Sequence, residues 1–162
     1  MIHRSSLFLA AAMTAVLASG CASVASSPTD VVATAARTPE LSTLSRLIQD
    51  AGLADTLRAA GPYTVFAPSN EAFAAVPAKT LEELSRNKEQ LKAVLSYHVL
   101  PAKVSAAEVK VGNAKTMQGA NLALGRAGSI VTVEDAMVLR ADVPVSNGVV
   151  HVIDRVLMPP RR

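Results

Sequence analysis

Beyond its first 20 residues the chain has two histidines, His98 and His151, and one cysteine, Cys21. Nucleophilic, acid–base or metal chemistry would have to be built around such side chains. Neither histidine has a second His, Cys or carboxylate at a ligand spacing such as His-x-x-x-His, so no metal site is expected. His151 and Asp154 lie three apart on an expected strand, which points them to opposite faces and denies them a base–orienter geometry. Ser69, Ser96 and Ser146 sit where caps and turns use serine, and neither a Gly-x-Ser-x-Gly elbow nor a Walker loop occurs. The expectation is a protein without catalysis, metal or cofactor.

Cys21 calls for a different reading. It is the only cysteine, and it follows a short basic start containing Arg4, an apolar run from Leu7 to Leu17 and the small residues Ala18-Ser19-Gly20. That order describes a secretory signal over residues 1–20, with an apolar run too short to span a bilayer stably. A lone cysteine in an exported protein has no internal disulfide partner. Ala18-Ser19-Gly20-Cys21 resembles a bacterial lipobox, with Ala18 at the first position, where Leu is usual. The resemblance implies cleavage before Cys21 and a diacylglyceryl thioether on its thiol, which anchors a protein to a membrane without spanning it. Residues 22–28, small and polar with Pro28, read as a tether that would reach about 25 Å if extended.

The elements that must hold any site follow from periodicity. Residues 29–160 form one expected domain, large enough for its own core. Half of the residues are apolar and 18% are charged, which excludes disorder. With no Trp, two Tyr and three Phe, the core must rest on Val, Leu, Ile and Ala, and rows of base-stacking rings are absent. The net charge of +3 comes from interspersed signs, so no nucleic-acid stripe is expected.

Thr29-Asp30 is a cap for a helix over Val31–Arg37. A longer helix is expected from about Glu40 to Gly52, with Leu41, Leu44, Leu47 and Ile48 on one face, and a further one over Leu53–Ala60. Tyr63–Ala67 reads as a strand ended by Pro68, with Ser69-Asn70-Glu71 opening another helical turn. Capping boxes are expected at Thr80 with Glu83 and at Ser105 with Glu108, and between them an amphipathic helix from Asn87 to Ser96. Strands are expected at Lys115–Gln118, Asn121–Leu124, Ser129–Val133, Met137–Ala141 and Val149–Leu157, joined by short turns and hence antiparallel. Val149–Leu157 is apolar on both parities, which makes it central. The layout, helices first and strands second, is α+β.

Within this frame Phe66 and Phe73 are expected to anchor the junction of the first strand and the helix after it. Asn70 is expected to close its own turn, and Asn147-Gly148 to form a tight connection needing positive φ. Asp154, on a central strand, needs backbone amides or a cation as partners. Tyr97-His98, taken as adjacent strand residues, would face opposite ways; they are the candidate binding residues, weighed against a scaffold in which local hydrogen bonds satisfy their polar tips.

Three stretches together resemble the fasciclin domain family. Gly61-Pro62-Tyr63-Thr64-Val65-Phe66-Ala67-Pro68-Ser69-Asn70-Glu71-Ala72-Phe73 is similar to its first homology block, with Ser69 where Thr is commoner. Tyr97-His98 matches its Tyr-His pair, and Ser146-Asn147-Gly148-Val149-Val150-His151-Val152-Ile153-Asp154 opens a segment similar to its second block. The resemblance covers nearly all of residues 29–160. It implies a wedge or sandwich of antiparallel strands with a helix cluster, and it makes Phe66, Pro68, Asn70, Phe73, Asn147, Gly148, His151 and Asp154 the structural motif. It also implies an extracellular binding role, although no Arg-Gly-Asp occurs and Arg140-Ala141-Asp142 is only a superficial likeness.

The expected function is therefore a non-catalytic, envelope-exposed binding or adhesion module, lipid-anchored on the periplasmic face or the cell surface. Its partner would be an envelope or matrix protein or polysaccharide. The alternative is a ligand carrier or small enzyme acting on an envelope glycan or lipid, which a deep apolar pocket with convergent polar groups would favour.

Overall fold

The computed structural model describes residues 29–160; the expected signal segment, Cys21 and the tether lie outside the described residues. Helix α1 spans Val31–Arg37 and is capped by Asp30, whose carboxylate accepts the Ala33 N–H at 2.7 Å. The expected helix from Glu40 is divided. Pro39–Leu41 forms a 3₁₀ turn before α2, Ser42–Asp50, because Pro39 fixes the entry angle. After Gly52, at φ +70°, comes the short α3, Ala54–Arg58.

Strand β1 runs Tyr63–Pro68 and leads into α4, Asn70–Ala74. Helix α5 spans Ala78–Arg86, and α6, Lys88–Tyr97, is capped by the Asn87 side chain through the Gln90 N–H at 3.2 Å. The expected box at Thr80 is not formed. Pro77 begins the helix earlier, with its carbonyl already accepting the N–H of Thr80 and Leu81, so Thr80 lies inside α5. Ser105 and Glu108 do bond each other, Ser105 donating its N–H at 3.1 Å and its hydroxyl at 2.8 Å, but they close a single turn and no helix follows. Those two donors hold the Glu108 carboxyl below the usual carboxylate range.

The remaining strands are β2 (Val99–Leu100), β3 (Gly112–Lys115), β4 (Asn121–Ala127), β5 (Ile130–Val133), β6 (Ala136–Val145) and β7 (Gly148–Ile153). The expected strand at Lys115–Gln118 is displaced toward the N-terminus, since residues 116–119 form the turn closed by Gly119 N–H to the Thr116 carbonyl. The seven strands are ordered β2-β1-β7-β6-β5-β4-β3. The pairings are antiparallel except β1 with β7, which is parallel over Tyr63↔Gly148 to Pro68↔Ile153.

Every residue of β7 is buried, as its double apolar parity requires, but the strand stops at Ile153 rather than Leu157. One face of the β1–β7 pair, with Val65, Ala67, Val150 and Val152, packs under the helices. The other, with Phe66 and Ile153, packs under the curl of β3–β6 through Leu122, Val131 and Val133. Phe66 and Phe73 therefore anchor different cores, because successive strand residues face opposite sides and α4 carries Phe73 back over the helical side.

Candidate functional site

Tyr97 and His98 are not strand neighbours. Tyr97 is the last residue of α6 and His98 its C-cap, so both enter the interior, at 3% and 1% exposure. The Tyr97 hydroxyl reaches the Asn121 carbonyl at 3.1 Å and the Glu134 carboxylate at 3.2 Å. Burial, then the neighbouring Glu134 charge and its hydrogen bond, push this phenol up to about 12. Glu134 has no signal in the sequence beyond a turn position. It holds φ +53°, and its carboxylate also accepts the Ala123 N–H at 2.8 Å.

His98 has both ring nitrogens engaged. Nε2 accepts the Leu157 N–H at 2.9 Å, so the proton sits on Nδ1, which donates to the Val94 carbonyl at 2.7 Å. Burial pushes this imidazole down to about 4, with the Val94 bond opposing the shift. His151 adopts the opposite tautomer. Its Nδ1 accepts the Asp142 N–H at 3.1 Å and its Nε2–H donates to the Val104 carbonyl at 2.8 Å. Its ring stacks on Phe66, centroids 5.6 Å apart, because the two residues are register partners on one sheet face.

The motif residues act over long range. Ser69, not Asn70, caps α4, accepting the Ala72 N–H at 3.2 Å. Asn70 instead reaches back to α2, accepting the Thr43 N–H at 3.0 Å and donating to the Pro39 carbonyl at 2.8 Å. Asn147 accepts the Val31 N–H at 3.3 Å and donates to the Leu57 carbonyl at 2.6 Å, tying α1 and α3 to the β6–β7 turn. It does not take a positive φ. Asn147→Ala should therefore cost ~1–3 kcal/mol by leaving these groups unmatched. Urea denaturation checks this, and no change would show that the ties are solvent-replaced.

Gly148 is required by contact. A Cβ there would overlap the Tyr63 carbonyl oxygen and lie 2.8 Å from the Tyr63 nitrogen. Pro68 is tolerated because the Phe66 N–H bonds the His98 carbonyl at 2.9 Å, and two residues on the missing N–H points past the end of β2. Asp154 lies just beyond β7, half-buried rather than on a central strand, and accepts the Met137 N–H at 2.7 Å while its own N–H donates to the Met137 carbonyl. His151 and Asp154 thus serve separate partners.

Beside α6 a trough of about 1090 Å³ runs between α5 and the chain after β7. Its floor includes Leu84 and Val94, and Glu83, Gln90, Gln118 and Arg155 add polar groups at its sides. No sequence signal points to it, because its walls come from segments far apart in the chain. Among the described residues no group of three His, Cys, Asp or Glu could hold a metal ion.

Residues 39–159 match the family model of the fasciclin domain. The chain is 46% identical over 132 residues to protein sll1483 of Synechocystis sp., covering 80% of this chain and 73% of that protein. It is 43% identical over 147 residues to immunogenic protein MPT70 of Mycobacterium tuberculosis, covering 87% and 75%. Cell surface glycolipoprotein MPT83 of the same species is 41% identical over 147 residues, covering 87% and 66%. Among solved structures, a FAS1 domain pair from the insect cell adhesion molecule fasciclin I matches with a TM-score of 0.62 at 24% identity. That match covers 75% of this chain and 46% of the other, about half its length, and concerns the fold.

Proposed function

The chain belongs to the fasciclin domain family, and from that premise we propose that it is a non-catalytic binding and adhesion module, exposed in the cell envelope and tethered to a membrane through Cys21. The observation that carries this reading is the commitment of its acid–base groups. Both buried histidines spend both ring nitrogens on backbone partners, and Asp154 is bonded to Met137, so these groups fix loops rather than face a substrate. The names of the relatives support export, since one is a cell surface glycolipoprotein. No helix among the described residues is long and apolar enough to cross a membrane, and a lipid on Cys21 would supply the attachment.

Cys21→Ala should move the protein from the membrane to the soluble fraction and remove the acyl mass from its N-terminal peptide. Unchanged membrane association, with no acyl mass in the wild type, would contradict the tether. Saturable binding of the full-length chain to immobilised envelope extract tests the binding function itself. A second reading, a carrier of a small apolar ligand, is favoured by the volume of the trough.

A further inference from the structure

Two walls of different character enclose the trough. One is helical, from α5 and α6, and its floor includes Val94. The other is the tail after β7, where Val156 and Met158 line the trough and Leu157, 3% exposed, turns into the core. His98 holds both walls at once, through the Val94 carbonyl on the helical side and the Leu157 N–H on the tail. A fully buried side chain thereby fixes how far apart the two sides of an open groove stand.

We infer that this trough binds an extended polypeptide segment carrying aliphatic side chains and an acidic residue, and that His98 is the positioning residue for its walls. The inference rests on the reading of the protein as a binding module and names the site and the class of partner. Arg155 on the tail and Glu83 on α5 both line the trough, both are exposed, and neither has an ion-pair partner among the described residues. An acidic side chain complements Arg155, while peptide N–H groups complement the Glu83 carboxylate and the Gln90 side-chain oxygen; that of Gln118 already accepts the Ala120 N–H at 3.2 Å. A single acyl chain would fill the apolar floor but offers no donor to Glu83 or Gln90.

The N–H groups of Val156 and Met158 have no backbone or side-chain partner among the described residues, so the tail can also offer main-chain hydrogen bonds to an extended segment. The described chain begins beside the β6–β7 turn, where the Thr29 carbonyl accepts the Ser146 N–H at 3.1 Å. The trough lies past the other end of β7, about 17 Å along a six-residue strand. Thr29, the first described residue, and the trough therefore lie toward opposite ends of β7.

The test pans a phage-displayed random dodecapeptide library against the immobilised full-length chain and titrates the enriched peptides by calorimetry, with palmitate titrated in parallel. Enriched peptides should share aliphatic residues and an Asp or Glu. Arg155→Glu should weaken them by about tenfold or more, Arg155→Lys far less, and Ala93→Arg, on the α6 wall, should abolish binding, all at unchanged melting temperature. His98→Gln keeps an acceptor where Nε2 stands and should retain binding, whereas His98→Asn reaches only Val94 and should lose it at matched stability. Equal binding by the two His98 variants would overturn the positioning role. Enriched peptides that bind Arg155→Glu and Ala93→Arg as they bind the wild type would overturn the trough while leaving a binding module. Failure to enrich any peptide overturns the polypeptide class, and palmitate binding lost in Ala93→Arg would then assign the trough to an acyl chain.

Discussion

Phe66→Ala should lower the free energy of unfolding by ~3–5 kcal/mol, a large share of what a domain of this size possesses. The ring is fully buried, and it is one of three Phe in a chain without Trp, so nothing of similar volume stands ready to collapse into its place. It packs with Leu122, Val133 and Ile153 on the inner face of the β3–β6 curl and covers the His151 ring. Truncation would also loosen the ring that anchors Val104 and the bulged stretch of β6 at Asp142. Urea denaturation of purified wild type and variant measures the effect, and a loss smaller than about 1 kcal/mol would mean that the two-sided sheet is misassigned.

Acid should destabilise the fold through His98. In the unfolded chain this imidazole titrates near its ordinary 6.5, and in the fold burial holds it at about 4. Between those values the unfolded state binds more protons, so the contribution is complete above about pH 6.5 and is lost as pH falls toward 4. The span is worth about 3 kcal/mol. The chemistry is direct: a proton on Nε2 turns the acceptor of the Leu157 N–H into a donor that faces another donor. His98→Gln, neutral throughout, should flatten the slope between pH 7 and pH 4 relative to the wild type. Parallel slopes in the two proteins would show that the acid sensitivity arises elsewhere.

The helices and most strand positions follow from local signals. The leucines of α2, the Asn87 cap and the double apolar parity of β7 each reflect physics confined to a few neighbouring residues, and each is legible in the amino-acid order. What is not legible there depends on partners distant in the chain. Asn70 and Asn147 look like turn residues because Asx side chains commonly serve that purpose, yet their hydrogen bonds reach Thr43, Pro39, Val31 and Leu57.

The parallel pairing of β1 with β7 joins strands 85 positions apart by register, Tyr63 with Gly148, and short connections near the C-terminus say nothing of it. Tyr97-His98 sits in a β-branched and aromatic stretch that suggests a strand. The helix persists one residue further, through Tyr97 with His98 as its C-cap, and that extension decides that both side chains point inward. The trough is invisible in the sequence for the same reason, being assembled from α5, α6 and the tail.

The central claim, that this is an envelope-tethered module that binds without transforming its partner, is met most directly by one surface-plasmon-resonance measurement. The purified full-length chain is passed over immobilised envelope extract, and the surface is then released and weighed by mass spectrometry. Saturable, reversible binding that leaves the captured material chemically unchanged is the predicted result. A surface that shows no saturable binding, or whose material is progressively cleaved or modified as the chain passes, would contradict it.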